Sequence, residues 1–304
     1  MKETIESLRF RITKRFGTKT VLRDFALEVR GKQFITFLGP SGCGKSTLFR
    51  LILGEELPSS GVVAIDGAEV TAPGTDRGIV YQRYSLYPHL TVLENVMLGR
   101  NLRTRFGERL RRRAEFRDEA MKYLARVRLG EHAQKYPHEL SGGMQQRVAI
   151  VQALITNPKI LMMDEPFGAL DPETRETMQV FLLELWDEHR MTIFFVTHDM
   201  EEAVFLGTRV LVLSQYYIDD RGADPAIRRG SRIVADYQLP DAVNSTKVKN
   251  SPEFLALTAE IRQFGFNPEH LRHVDEFNMA HPDSFRTLTP DESNRVRRLG
   301  EDTQ

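Results

Sequence analysis

Residues 33–47, QFITFLGPSGCGKST, constrain the fold more than any other stretch of this chain. Five apolar or small residues with strand character run directly into a loop with three glycines, and Leu48 to Leu53 then reads as a helix. A strand that turns through glycines into a helix is the opening of an α/β unit, and it commits its neighbours to a parallel sheet. The loop matches G-x-x-x-x-G-K-[ST], with Gly39, Pro40, Ser41, Gly42, Cys43, Gly44, Lys45, Ser46 and Thr47 in order. Glycines let the backbone curl until successive N–H groups point inward at an anion, and the helix adds its positive end. In such a loop Lys45 neutralises the outer phosphates of a nucleotide and the Ser46 hydroxyl binds Mg²⁺.

The rest of the chain supplies the partners of that unit. Leu8, Phe10 and Ile12 alternate, as do Phe25, Leu27 and Val29, and Val62 to Ile65 ends on Asp66-Gly67, a hairpin signal. Positions 6–70 therefore read as β-rich. From about Val92 to Asn157 the pattern is helical, with Ala120, Met121, Leu124 and Val127 on one face. Ser141 is typed to cap a helix that Asn157-Pro158 ends. Strands follow at Ile160–Met163, Thr192–Val196 and Arg209–Ser214. Between them lie a helix starting at Asp171-Pro172, with Met178, Phe181, Leu182, Leu185 and Trp186 inward, and a short one over Met200–Phe205. The alternation predicts a parallel sheet covered on both faces. Residues 219–231 read as a long exposed loop. Ser251-Pro252 starts a helix near 252–264 with Phe254, Leu257, Ile261 and Phe264 inward, and the polar last forty residues carry no recognisable chemistry.

Two more segments end strands on reactive groups. ILMMDEP, 160–166, places Asp164 where a carboxylate reaches a P-loop Mg²⁺, while Glu165 faces elsewhere and is free to polarise an attacking water. FFVTHDM, 194–200, ends on His198, which a parallel sheet brings to the same edge to donate to a γ-phosphate, although a helix-capping role for this turn is the simpler alternative. LSGGMQQR, 140–147, is a second helix N-terminus built for an anion, from Ser141 and the N–H groups of Gly142 and Gly143.

With these motifs in order, the chain over roughly residues 5–240 resembles the ATP-binding-cassette ATPases. LSGGMQQR is similar to their signature, with Met144 where many relatives have glutamine. Gln82 in YQRYSLYPHLTVLENV resembles the Q-loop residue that senses Mg²⁺, GALD at 168–171 the D-loop ending on Asp171, His198 the switch histidine, and Phe16 the aromatic that stacks on adenine. The resemblance implies a P-loop NTPase with a RecA-like parallel core, an N-terminal antiparallel β subdomain, a helical subdomain inserted at about 92–157, and a cassette spanning 1–240 before an extension at 241–304. It implies ATP and Mg²⁺ as ligands, with Gln145 as well as Ser141, Gly142 and Gly143 of one subunit closing on the nucleotide of another in a head-to-tail homodimer or heterodimer.

Segments such as TDRGIVYQRYSLYPHLTVLENV and MMDEPFGALDPETR look most similar to the nitrate, sulfonate and taurine importers, which implies a peripheral subunit at the cytoplasmic face of a membrane. Permease subunits would dock near Gln82–Leu90, and an external solute-binding protein would act indirectly. The rival expectation is a soluble regulatory ATPase without a permease, for which the arginine-rich 100–117 segment is the only support. Lys plus Arg and Asp plus Glu each number 42, so overall charge gives no pull toward nucleic acid. The apolar runs fall short of the roughly 18–20 residues a membrane span needs, no secretory signal opens the chain, and the single cysteine, Cys43, excludes an internal disulfide.

Overall fold

A computed structural model describes residues 4–40, 42–81, 86–104, 106–189, 191–215, 230–239, 249 and 251–266. Two sheets organise them. β1 (Ser7–Phe16), β2 (Lys19–Arg30), β4 (Ser60–Ile65) and β5 (Ala68–Glu69) form an antiparallel sheet in the order β2-β1-β4-β5. The second sheet runs β10-β9-β3-β8-β7-β6, from β3 (Phe34–Leu38), β6 (Arg77–Val80), β7 (Ile160–Asp164), β8 (Thr192–Val196), β9 (Arg209–Ser214) and β10 (Arg232–Gln238). It is parallel except at β10, which pairs antiparallel with β9.

The strand periodicity sorts residues between two cores. Phe34 and Leu38 of β3, Ile193 and Phe195 of β8, and Leu161 and Met163 of β7 join one. Their neighbours Ile35, Phe37, Phe194, Val196, Ile160 and Met162 join the other. The first core is closed by α2 (Val92–Arg103), α4 (Arg113–Arg126), α5 (Gly142–Leu154), α6 (Pro172–His189), α7 (Met200–Leu206) and α8 (Pro252–Phe266). The second is closed by α1 (Lys45–Leu53) and the antiparallel sheet, where Phe10 meets Phe25 edge-on and Phe37 meets Phe49 likewise. Between β6 and β7 the described chain is helical apart from short connections, and α3 (Phe106–Arg111) lies there too. The hairpin at Asp66-Gly67 takes positive φ at both residues (50° and 80°), as a tight two-residue turn requires.

Several expectations need correction. β6 and β10 lie in segments not assigned to strands, so the main sheet is wider than expected and mixed. α5 ends at Leu154, before Asn157 turns the chain at φ 48°. Of the loop expected over 219–231, residues 219–229 lie outside the described residues. Gly230 and Ser231 are buried, with Ser231 hydrogen-bonded to Val21 and Arg23 of β2. Phe254 and Ile261 of α8 are buried and Leu257 packs beside them, whereas the side chain of Phe264 lies outside the described set.

Candidate functional site

Three adjacent strands, β3, β8 and β7, end at the same edge of the main sheet, and each hands its next residues to the site. Val196 pairs with both Phe37 and Asp164, the Thr197 N–H donates to the Phe37 carbonyl, and the Glu165 N–H donates to that of Val196. The loop after β3, the carboxylate that ends β7 with the one that follows it, and the histidine after β8 are thus brought together by register.

In the loop, Gly39, Gly42 and Gly44 adopt φ of 153°, 79° and 95°. A Cβ at Gly39 would lie 2.4 Å from the Leu213 carbonyl oxygen, so the loop is threaded against β9 where only glycine fits. Gly44 precedes α1 and gives it no side-chain cap, which leaves the helix's first N–H groups for an anion. Buried Lys45 folds across this loop, its Nζ donating to the carbonyls of Gly39 (2.7 Å) and Pro40 (3.1 Å). Cys43 Sγ lies 3.7 Å from the same ammonium, and burial pushes its thiol above the usual range although Lys45 pulls it back. Thr47 is in the first turn of α1, and Ser41 lies outside the described residues.

The Ser46 hydroxyl donates to Asp164 Oδ2 at 3.0 Å. Burial raises the Asp164 carboxyl, with the neighbouring Glu165 charge adding to the shift and the Ser46 hydrogen bond and Lys45 opposing it. One hydroxyl and one carboxylate oxygen are a hard, sparse donor set suited to Mg²⁺, which keeps several waters and takes its remaining ligands from phosphate. Among the described residues no cluster of three or more His, Cys, Asp or Glu could hold a metal ion. Glu165 departs from strand geometry at φ 46°. Its Oε2 stands 3.4 Å from Nδ1 of His198, whose side chain is 71% exposed.

Other expected residues stand apart from that edge. Phe16 ends β1 with 44% of its surface exposed, and the Lys14 ammonium covers one ring face 4.7 Å from the centroid. Gln82 lies outside the described residues, but Val80, two residues before it, pairs with Met163 beside Asp164. Ser141 caps α5, its Oγ accepting from Met144 N (3.3 Å) while keeping its own proton to donate. Gly142 and Gly143, half-buried, form the first turn behind the exposed Ser141, and a Cβ on Gly143 would come within 3.1 Å of Leu170 Cδ2 in the GALD segment. Gln145 does not project outward: its Nε2 donates to the Pro137 and Leu140 carbonyls of the preceding turn. Asp171 caps α6 through Thr174 N–H (3.0 Å), which holds its carboxyl below the usual range.

One residue of the site's surroundings escaped the sequence reading. Fully buried Asn95 accepts from Tyr87 N and donates to the carbonyls of Tyr87, Leu90 and Thr91, fastening the segment after Gln82 to α2. Its signal was an amide on the inward face between Val92 and Val96, where nothing but a backbone staple accommodates it.

A glycine loop joined to an uncapped helix, a hydroxyl–carboxylate pair beneath it and a carboxylate facing a histidine define a P-loop nucleotide hydrolase. The family model described as ABC transporter matches residues 22–168. The chain is 43% identical over 265 residues to the taurine import ATP-binding protein TauB of Rhizobium johnstonii, covering 85% of this chain and 94% of that protein. It is 42% identical over 246 residues to the nitrate import ATP-binding protein NrtD of Synechocystis, covering 81% and 88%. Among solved structures it is similar to the dimeric ATP-binding cassette MJ0796 in a post-hydrolysis state bound to ADP and Pi, with a TM-score of 0.63 and 31% identity over 77% of this chain and 99% of that one. The chain therefore belongs to the ATP-binding subunits of ABC transporters, and it is an ATPase.

Proposed function

We propose that two cassettes close head to tail around two Mg-ATP, each signature helix meeting the γ-phosphate held by the other chain's P-loop. The observation that carries this reading is the order of the strands in the main sheet. The P-loop follows β3, whereas α5 packs against β6, three strands away across the sheet, a lateral separation of about 14 Å. On this reading the Ser141–Gly143 turn, with Ser141 exposed, serves a phosphate other than its own. The similarity to a cassette solved as a dimer with ADP and Pi supports this arrangement. Within each site Lys45 and the loop N–H groups hold the phosphates, Glu165 polarises water in line with the γ-phosphorus, and His198 donates to the γ-phosphate oxygens. Ser46 and Asp164, with Gln82, would hold Mg²⁺, which supplies charge neutralisation when bound.

The same reading makes the chain the energy-coupling subunit of an importer for a small solute of the nitrate, sulfonate or taurine group, at the cytoplasmic face of a membrane. Names among its relatives support the class, and no helix among the described residues is long and apolar enough to cross a membrane. Beside the segment that Asn95 fastens lies a groove of about 370 Å³ lined by Leu90, Met97, Leu98, Leu102, Arg113 and Arg117, and Tyr87 is 46% exposed nearby. This reading assigns the groove to a cytoplasmic helix of a permease subunit. The rival regulatory ATPase loses ground because two arginines of 100–117 are spent internally: Arg100 on Glu119 and the Ile155 carbonyl, Arg112 on Glu108 and Glu115.

The test is Glu165→Gln with saturating Mg-ATP. Turnover should fall by roughly a hundredfold or more while size exclusion shows an ATP-loaded dimer. A variant that binds ATP yet stays monomeric would refute the shared site, and failure to co-purify detergent-solubilised membrane subunits would refute the importer role.

A further inference from the structure

A buried hydrogen-bond chain runs from the segment after residue 240 to the turn that bears His198. Lys249 Nζ donates to Gln179 Oε1 at 2.8 Å, and Gln179 Nε2 donates to Glu202 Oε1 at 2.9 Å. Thr197 Oγ1 donates to Glu202 Oε2 at 2.5 Å, and the Asp199 N–H donates to Thr197 Oγ1 at 3.0 Å. Gln179, Glu202 and Thr197 are buried, and Lys249 also lies 4.6 Å from the centroid of the Phe205 ring.

The polarity of this chain is fixed from both ends. An ammonium only donates, so Lys249 dictates which way the Gln179 amide faces. A backbone N–H only donates, so Asp199 leaves Thr197 to give its own proton onward. Glu202 between them must accept twice, which a carboxylate does and an amide does not. His198 stands between Thr197 and Asp199, and Asp199 also caps α7 through the N–H groups of Glu201 and Glu202. Both residues that flank the exposed imidazole are therefore held by Glu202 or by the helix that carries it.

We propose that Glu202, Gln179 and Lys249 are positioning residues for ATP hydrolysis: through Thr197 they aim His198, so that the segment following the cassette forms part of the catalytic machinery. This rests on the reading of His198 as the γ-phosphate donor. It assigns to Lys249, far along the chain from every motif, an effect on turnover without contact with nucleotide.

The experiment measures steady-state Mg-ATPase kinetics and melting temperature on the full chain. Glu202→Gln puts a donor where two acceptors are needed, and kcat should fall roughly tenfold with KM for ATP unchanged. Adding Gln179→Glu restores every donor–acceptor direction, since the new carboxylate accepts from Lys249 and from the amide at 202 while that amide accepts from Thr197. The double variant should return to within about threefold of the parent. Lys249→Met should lower kcat, and Lys249→Arg should recover it. A parental kcat in both Glu202→Gln and Lys249→Met overturns the proposal, as does a double variant that melts like the parent yet turns over no faster than the single one. His198→Ala separates the two levels. If it leaves kcat intact, the histidine's role fails and this inference with it; if it abolishes turnover while Glu202→Gln does not, the positioning role alone fails.

Discussion

Ser46 and Asp164, 118 residues apart in sequence, meet through one hydrogen bond of 3.0 Å that joins the first turn of α1 to the end of β7. Asp164 is half-buried, and that burial disfavours its anion, raising its pKa above 3.8. By linkage, a carboxyl whose folded pKa is raised binds its proton more tightly folded than unfolded, so stability falls as pH rises from the unfolded value through the raised one. Above that window the bare anion is a cost that a bound cation would relieve. Asp164→Asn should therefore melt no lower than the parent in EDTA near pH 7.5, yet need roughly 10–100 times more Mg²⁺ for half-maximal ATPase activity. Magnesium titrations and thermal melts read the two effects separately. An unchanged magnesium requirement would remove Asp164 from the metal site.

Asn95 makes four hydrogen bonds to the backbone of Tyr87, Leu90 and Thr91 and is fully buried. Asn95→Leu fills similar space but leaves the Tyr87 N–H and three carbonyls to find other partners, at a cost of about 2–4 kcal/mol. The loop between β6 and α2 should loosen before the cassette as a whole unfolds. Hydrogen exchange should rise at Tyr87–Thr91, and retention of permease subunits should drop while nucleotide binding to the isolated chain stays near parental. Exchange unchanged across that segment would show that Asn95 is not what fastens it.

Legibility in the sequence followed how local each determinant is. β7, β8 and β9 are short apolar runs bounded by turn residues, and their periodicity and length determine them; β8 and β9 begin and end where the sequence places them. The P-loop and Ser141 cap are also local, because glycine spacing and a capping serine act within one turn. β6 was missed because RGIV is four residues long with only Val80 buried, and its strand identity comes from β7 alongside it. β10 was missed because Asp236 interrupts its apolar run, and only Arg209, 27 residues earlier, makes that aspartate tolerable inside the fold. The chain through Lys249, Gln179 and Glu202 is invisible for the same reason: each residue alone reads as an ordinary surface polar group. Gln145 reads as a nucleotide contact by its place in the signature, whereas its amide bonds to the carbonyls of Pro137 and Leu140 come only from the fold.

Cys43 lies inside the P-loop with its thiol buried and raised above its usual range by that burial. At pH 8 the thiolate fraction is then smaller than for an exposed cysteine, and the nucleophilic form is the one that reacts. Disulfide-exchange reagents should modify the folded protein far more slowly than the protein in guanidinium, and Mg-ATP should slow the reaction further if the loop tightens around phosphate. Native labelling at the rate of a free thiol would mean that the loop opens readily, and a redox response at this position would then deserve pursuit.

Arg209 and Asp236 form the most buried ion pair among the described residues, with side chains 4% and 1% exposed. The pairing is bidentate, Nε to Oδ1 at 2.9 Å and Nη2 to Oδ2 at 2.6 Å, and the remaining Nη1 donates to the Glu28 carbonyl at 2.8 Å. One guanidinium thereby joins β9 to β10 and both to β2 of the other sheet. Two charges taken out of water gain little over an apolar pair of equal volume, but one left alone is costly. Arg209→Met should therefore destabilise the protein by about 3–5 kcal/mol, whereas Arg209→Met with Asp236→Leu should recover most of that loss. Equilibrium denaturation of the two variants checks the ranking. A double variant as unstable as the single one would show instead that the contact with the Glu28 carbonyl, and the packing of one sheet against the other that it secures, is what Arg209 contributes.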